Sequence, residues 1–395
     1  MFPLKEYKFR CYNFRLLLYI SCLSVIGIQV IGSATNYDGR ETKQMICFLV
    51  GFVLMLFLSL VDYHFVLKFY WVFYLINLVL LITVEVIGRT SGGAQRWIQL
   101  GGFRIQPAEL CKILLTLFFA KFFQMFQEKV SSVKVLGAAV VLFIIPLALI
   151  LHQPDLSTSI VIACLFASIV YVAGLSYFVI GGILSVGLPV FAFLVYKIMQ
   201  PNQTIIEPYQ KNRIFGFLYQ NATAEEAAKR GLDLNLINSI NHQQKNSVLA
   251  IGSGQLFGKG IANNTVASVK NGNFLSQPET DFIFAIVGEE MGFVGSALVI
   301  ILLLFIALEC LWVAKNAKDL SGRIIAAGMA AIIAFQSFFN IGVAVWVLPN
   351  TGLPLPFVSY GMSSLLSLMI GMGVLLNVSI QRELTFKEVL YSDED

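Results

Sequence analysis

The sequence predicts an all-α integral membrane protein of ten transmembrane helices, with one large extracytoplasmic loop between helices 7 and 8. Two observations predict it. Hydrophobic residues make up 57% of the chain and charged residues 13%, with 33 phenylalanines and a mean hydropathy of +0.77. A soluble domain carries roughly 25% charged residues, so this chain has too few to cover a water-facing surface. Apolar stretches of the ~20 residues needed to cross a ~30 Å hydrocarbon core also recur along it. They lie near 15–34, 45–62, 65–88, 107–126, 135–151, 157–174, 176–198, 282–313, 323–348 and 356–380.

The first window follows Lys5, Lys8, Arg10 and Arg15 and lacks a small-residue cleavage site, so it reads as an anchor rather than a signal peptide. Lys121, Lys129 and Lys134 follow the fourth window, Lys315, Lys318 and Arg323 the eighth, and Arg382 and Lys387 the last. With ten crossings these basic residues share one side, which predicts a multi-pass protein of the cytoplasmic membrane with both termini cytoplasmic. Arg89, Arg96 and Arg104 then lie outside, against that rule, and ask for an anionic ligand. The net charge of +4 points to no nucleic acid. The six cysteines are scattered among apolar windows, with no disulfide or zinc spacing. The window at 282–313 exceeds one crossing and is expected to tilt or emerge.

The whole chain, 1–395, reads as a single polytopic membrane domain, with 200–280 as its large loop. A loop that long is seldom structureless and is often functional. Asn221–Arg230 is rich in helix formers and is closed by Gly231, and Gln243–Ile251 has the pattern of a second short amphipathic helix. The glycines of GSGQLFGKG, Gly252–Gly260, permit close backbone approach. Ser253 and Gly260 stand where a phosphate-binding P-loop requires glycine and Ser/Thr.

Four clusters carry chemistry-bearing residues. In GAQRWIQLGGFRIQPAELCK, Pro107 suits a helix start, and Glu109 and Lys112 fall on one helical face. Either they are an ion pair that lets two charges enter the bilayer edge, or Lys112, with Arg96 and Arg104, holds a diphosphate or braces the catalytic acid. In QPDLST, Asp155 either caps the next helix or joins a polar cavity. His152 beside it reads as interfacial. In FLSQPETDFIFAIVGEEMG, Thr280 and Asp281 stand at the mouth of an apolar helix carrying Glu289 and Glu290. Asp281 is either a cap or an acid at the water–lipid boundary, where partial desolvation raises a carboxyl pKa and suits it to take a hydroxyl proton. In QSFFNIGVAVWVLPNTGLPLPFVSYGMSS, prolines and Gly352 force a turn before Ser359, Tyr360, Ser363 and Ser364. Such irregular polar backbone at membrane depth faces protein or a wet cavity, and Asn340 reads as interhelical glue or ligand contact.

These motifs, in this order, resemble the shape, elongation, division and sporulation (SEDS) family, the RodA/FtsW-type peptidoglycan polymerases, leaning towards RodA. The resemblance spans nearly all ten windows. It implies ten transmembrane helices and cytoplasmic termini, the topology read from the loops. The family's proposed catalytic aspartate in TDFIF matches Asp281, its Glu and Lys in QPxExxK match Glu109 and Lys112, and its arginine in GAQRW matches Arg96. Two departures stand out. Ser276, Gln277 and Glu279 replace the proline, acid and histidine of a common PEAHTD, and Met362 replaces a glycine of SYGGSS.

The implied reaction polymerises lipid II at the outer membrane face. The acceptor GlcNAc 4-hydroxyl attacks C1 of the MurNAc at the reducing end of the lipid-linked chain and displaces undecaprenyl diphosphate. Asp281 is assigned as general base, with Glu109 orienting Lys112 as the other catalytic groups. Arg96, Lys112 and Lys259 would hold diphosphate, with Arg104, Asp155, Thr280, Asn340, Ser359 and Ser363 completing the substrate site. A divalent cation (Mg2+ or Mn2+) bridging Asp281 and diphosphate fits the chemistry, although no metal-ligand spacing marks one. The family's usual partner is a class B penicillin-binding protein, a transpeptidase. The alternative from another class is a lipid II flippase, for which Glu289 and Glu290 would suit proton coupling. A third reading is a scaffold that only recruits a transpeptidase.

Overall fold

The structure, a computed structural model, describes residues 7–91, 94–100, 103–153, 155–198, 214–220, 234–262, 275 and 277–382. All ten apolar windows overlap α-helices: α1 (Phe14–Ala34), α2 (Arg40–Ser59), α4 (Tyr70–Ile87), α5 (Pro107–Met125), α6 (Val133–His152), α7 (Leu156–Val172), α8 (Tyr177–Ile198), α10 (Ile283–Asn316), α11 (Leu320–Ala344) and α12 (Met362–Ile380). A short α3 (Tyr63–Leu67) precedes α4, and α9 (Leu234–Ser253) lies in the long loop. Among the described residues, six helices, α1, α2, α6, α10, α11 and α12, are long and apolar enough to cross a membrane, and α4 and α7 are shorter apolar helices. The molecule is therefore a mostly helical, multi-pass membrane protein. Helix α5 carries three charges, Glu109, Lys112 and Lys121, yet is buried along most of its length. It packs against α4, α7, α11 and α12. Charges enter the bundle because protein, not lipid, surrounds them.

The all-α expectation needs correction between α4 and α5. There the chain forms a three-stranded antiparallel sheet, β1 (Arg89–Ser91), β2 (Ala94–Leu100) and β3 (Phe103–Ile105). Arg89 pairs with Trp97, and Gln99 with Arg104. The physical reason is in the sequence. Gly-Gly pairs at 92–93 and 101–102 flank the β-prone run AQRWIQL, which is a double-hairpin pattern. In the long loop, the short helix expected at Gln243–Ile251 is a single 20-residue helix, α9. The helix expected at Asn221–Arg230 lies outside the described residues.

The over-long window at 282–313 is a helix broken at Gly292 (φ 65°, ψ −160°). The turn after α9 causes the break. Lys259 and Gly260 N–H donate to the carbonyls of Glu289 and Glu290 at 2.9 and 3.0 Å, while Phe293 and Val294 N–H donate to Gln255 and Leu256 at 2.8 and 3.1 Å. Two rungs of the i→i+4 ladder are thus exchanged for four bonds to the loop, a direct cause of a kink. Gly258, with φ +78°, makes this possible, because a Cβ there would overlap the Glu290 carbonyl. The close approach foreseen for the glycine-rich turn is real, and its target is a helix.

Candidate active site

One end of the bundle gathers the start of α5, the starts of α7, α10 and α12, and strand β2. Between them lies a cavity of about 170 Å3, lined on its polar side by Arg96, Gln106, Thr280, Asp281, Tyr360 and Ser363, with Gln277, Thr351, Gly352 and Ser364 also facing it. Asp281 sits one residue before Phe282, the N-cap of α10, so its carboxylate is not the capping group there. Instead, its backbone is clamped. The carbonyls of Glu279, Thr280 and Asp281 accept, in turn, Tyr360 N–H (2.8 Å), the Ser359 hydroxyl (2.6 Å) and the Asn340 amide (3.0 Å). Asn340 also donates to the Leu353 carbonyl at 2.6 Å, which ties the turn 349–361 to the same point. Gln44 of α2 braces that turn from behind, bonding Ser359 O at 3.2 Å and Gly361 N–H at 3.3 Å. Arg40 pairs with the buried Glu279.

Gly352 has φ +71°, and a Cβ there would stand 3.2 Å from Asp281 Oδ2. The turn brings bare backbone against the carboxylate, which is why glycine is required at this point.

Beneath the cavity lies a second, buried layer. Lys112 Nζ donates to Glu109 at 2.9 Å and to Gln336 Oε1 at 2.6 Å. Glu109 also accepts the Ser364 hydroxyl at 2.7 Å, and Gln336 donates to the Pro354 carbonyl at 2.9 Å. The pair is 1% exposed on both sides, with charge matched and hydrogen bonds supplied. The ion-pair reading of Glu109 and Lys112 therefore describes their geometry. Both lie behind the cavity lining and brace Ser364 and the 349–361 turn.

Of the two roles foreseen for it, Asp155 takes the cap and does not line the cavity. Its Oδ1 caps α7 by accepting Thr158 N–H at 3.1 Å, and it stands 3.7 Å from the Arg96 guanidinium and 3.3 Å from the Gln106 amide. It aims Arg96 from outside the cavity. His152 is exposed and faces Glu85 at 3.2 Å.

Of the residues predicted from sequence, Arg96, Thr280, Asp281 and Ser363 line the cavity, while Asp155, Glu109, Lys112, Asn340 and Ser359 form its support. Two do not join it. Arg104 is exposed on β3, and Lys259 is bound to the buried Glu289 at 2.8 Å. Lys259 neutralises a carboxylate inside the kinked helix, so its diphosphate role is not supported by its position. Glu290 accepts the Ser33 hydroxyl of α1. Sequence reasoning did not single out Gln44, Gln106, Thr351 or the clamp function of the 355–360 turn.

The fold and the site together define a class: a multi-pass membrane protein presenting a backbone-clamped acid and an arginine in a polar cavity at one end of its bundle. The chain belongs to the FtsW/RodA/SpoVE family of cell cycle proteins, whose family model matches residues 9–384. It is 32% identical to peptidoglycan glycosyltransferase MrdB of Escherichia coli K12, over 95% of each chain. Among solved structures it resembles a chain of a peptidoglycan synthase complex that coordinates polymerization and crosslinking (TM-score 0.77, 27% identity, covering 95% of this chain and 99% of that one). It also resembles rod shape determining protein RodA of Thermus thermophilus (TM-score 0.65, 25% identity, 95% and 98% covered).

Proposed function

We propose that this protein is a peptidoglycan glycosyltransferase that polymerises lipid II at the outer face of the cytoplasmic membrane, in cell shape or division. The observation that carries this reading is the shared cavity of Asp281 and Arg96. Asp281 accepts the proton of the acceptor GlcNAc 4-hydroxyl as O4 bonds to C1 of the donor MurNAc. The C1–O bond to undecaprenyl diphosphate breaks, its electron pair leaves with the diphosphate, and configuration at C1 inverts. Arg96, held by Asp155, meets the charge developing on the leaving diphosphate, where a preorganised cation stabilises it most. A cavity of about 170 Å3 is below the ~300–1,000 Å3 of a drug-sized ligand site, so it receives the reacting ends of the two sugars and little more.

Glu109, Lys112, Asn340 and Ser359 act as positioning residues in this scheme. Among the described residues no three His, Cys, Asp or Glu side chains cluster to hold a metal ion, so any divalent cation would rest on Asp281 and the substrate's own phosphates. The topology that goes with the reading is ten transmembrane helices in one domain, cytoplasmic termini, and residues 200–280 outside. The partner is a class B penicillin-binding protein that crosslinks the product. The carrier alternative loses its main support, since Glu289 and Glu290 are engaged by Lys259 and Ser33.

The test is purified protein with labelled lipid II, with and without the transpeptidase. Glycan ladders from wild type and none from Asp281→Ala are expected. Ladders of equal yield from a folded Asp281→Ala protein would remove Asp281 as the base.

A further inference from the structure

Helix α9, in the long loop, buries polar side chains and exposes apolar ones. Asn241, Gln244 and Ser247, at three-residue spacing, are buried, whereas Val248 and Leu249 are exposed. Polar groups leave water at a cost unless they find hydrogen bonds, and here they do. Asn241 donates to the Gly216 carbonyl at 2.7 Å. The Gln244 amide donates to the carbonyls of Val343 (3.1 Å) and Leu348 (2.7 Å), and the Ser247 hydroxyl to that of Ala344 (2.7 Å). The last three carbonyls lie at the exit of α11, where a helix runs out of donors of its own. Between Val343 and Leu348 stands Trp346 with φ +61°. A bulky residue keeps that left-handed conformation only where its surroundings fix it. Gln244 grips the chain on both sides of it.

This exit leads to the polar cavity. Asn340, one turn earlier in α11, grips the Asp281 and Leu353 carbonyls. The chain leaving at Leu348 becomes the turn whose Gly352 stands against Asp281 Oδ2. Past its own end, α9 continues into the glycine-rich turn that kinks α10 at Gly292. Both elements that hold Asp281 are thus tied to α9, although neither Gln244 nor Ser247 lines the cavity. We infer that Gln244 and Ser247 are positioning residues for the glycosyl transfer proposed above. By fixing the exit of α11, they set where the 349–361 turn meets the Asp281 carboxylate. The inference rests on Asp281 acting as the base.

Two readouts on the full protein test it. Hydrogen–deuterium exchange reads the hold itself, without any chemistry. One hydrogen bond changes an opening equilibrium by roughly fivefold. Ser247→Ala should therefore speed exchange of the amides at 345–360 by about fivefold. Gln244→Met, of similar length but without the two donors, should speed it by about 10–30-fold, with α6 unchanged in both. Polymerisation of labelled lipid II reads the consequence. In Gln244→Met, kcat per folded molecule should fall by about 10–100-fold, because a misplaced reacting group is costly, while KM for lipid II stays at the wild-type value. Gln244→Lys, which can donate to the same carbonyls at a helix C-terminus, should recover most of that loss. Ser247→Ala removes a single hydroxyl and carries the test if Gln244→Met does not fold. Faster exchange at wild-type kcat would make α9 a structural brace only and overturn the inference, as would unchanged exchange in both variants. A wild type that makes no glycan while the exchange result holds would instead sink the glycosyl-transfer reading, and this inference with it.

Discussion

Two aspartates bracket α10, and the protein uses them in opposite ways. Asp319, just past its C-terminal end, is consumed by structure. Its carboxylate accepts Tyr63 Oη, Ser321 Oγ and Gln124 Nε2, each at 2.7 Å, Gly322 N–H at 2.8 Å, and His64 Nε2 at 3.1 Å. Burial alone would raise its pKa, yet these donors hold it well below the usual carboxylate range. Asp281, just before the N-terminal end, is held by its backbone, while its side chain faces a cavity shared with Arg96. An acid whose carboxylate gathers five donors is a staple, whereas one clamped through its main chain keeps its carboxylate at a cavity wall.

The sharpest way to break this contrast is to neutralise each acid in turn. Asp281→Asn should lose about 10²–10⁴-fold in polymerisation rate, the usual contribution of a general base, with its melting temperature in detergent unchanged. Asp319→Asn should do the reverse. It should retain turnover per folded molecule but lose stability: asparagine keeps the helix cap, but its NH2 group faces donors that the carboxylate accepted, and each donor left buried without a partner costs about 1–3 kcal/mol. Lipid II ladders and thermal unfolding of the same preparations separate the two, and a joint loss in both variants would erase the distinction.

The buried layer gives the next largest effect. Glu109→Leu leaves the Lys112 ammonium enclosed with only Gln336, and removing one partner of such a pair costs about 3–5 kcal/mol. Glu109→Leu with Lys112→Met should recover much of that stability. It should remain impaired in rate, because Ser364 and the 349–361 turn lose their brace. Recovery of full activity would make the pair purely structural.

Much of this was legible in the sequence, for definable reasons. Hydropathy marks helices well because lipid offers no partner to a bare peptide group. Intramembrane charges such as Glu109 stand out against that background. The sheet was passed over because β1–β3 are short and lie where a loop was expected, although paired glycines around AQRWIQL were its signal. Lys259 was misplaced for a deeper reason: a cation in a glycine-rich turn has the pattern of an anion site. Nothing local reveals that its anion is Glu289, on another element. Asn340 was singled out as glue or ligand contact, and only tertiary structure tells that it grips the Asp281 carbonyl.

A smaller effect is expected at Gly352. Gly352→Ala adds a Cβ 3.2 Å from Asp281 Oδ2 in a left-handed residue, a conformation that costs roughly 1–2 kcal/mol for other residues. Stability should fall by about that amount. The rate should fall further than the stability loss explains, because the carboxylate must shift. A fall in stability at unchanged kcat would mean the turn tolerates the methyl without moving Asp281.

The smallest effect is a pH dependence confined to the Asp319 end. His64 bridges Asp319 and Asp62, each at 3.1 Å, and its pKa is raised above 6.5, first by the hydrogen bond it donates to Asp319. A raised folded pKa means that the stabilisation is fully present below the unfolded value and is lost as pH rises through the folded one. Asp319 has the opposite sign. Its pKa is lowered from 3.8, so its contribution is present above that value and is lost only as pH falls well below it. The pair is therefore intact between these limits. The melting temperature of wild type should decline as pH rises above about 6.5, and His64→Gln should flatten that decline. Since His64 is substantially exposed, solvent screening keeps the shift small. The pH profile of glycan synthesis should keep its shape in His64→Gln, because Asp281, the proposed base, lies at the other end of α10. A profile that moved with His64 would mean that the two ends are coupled through the helix.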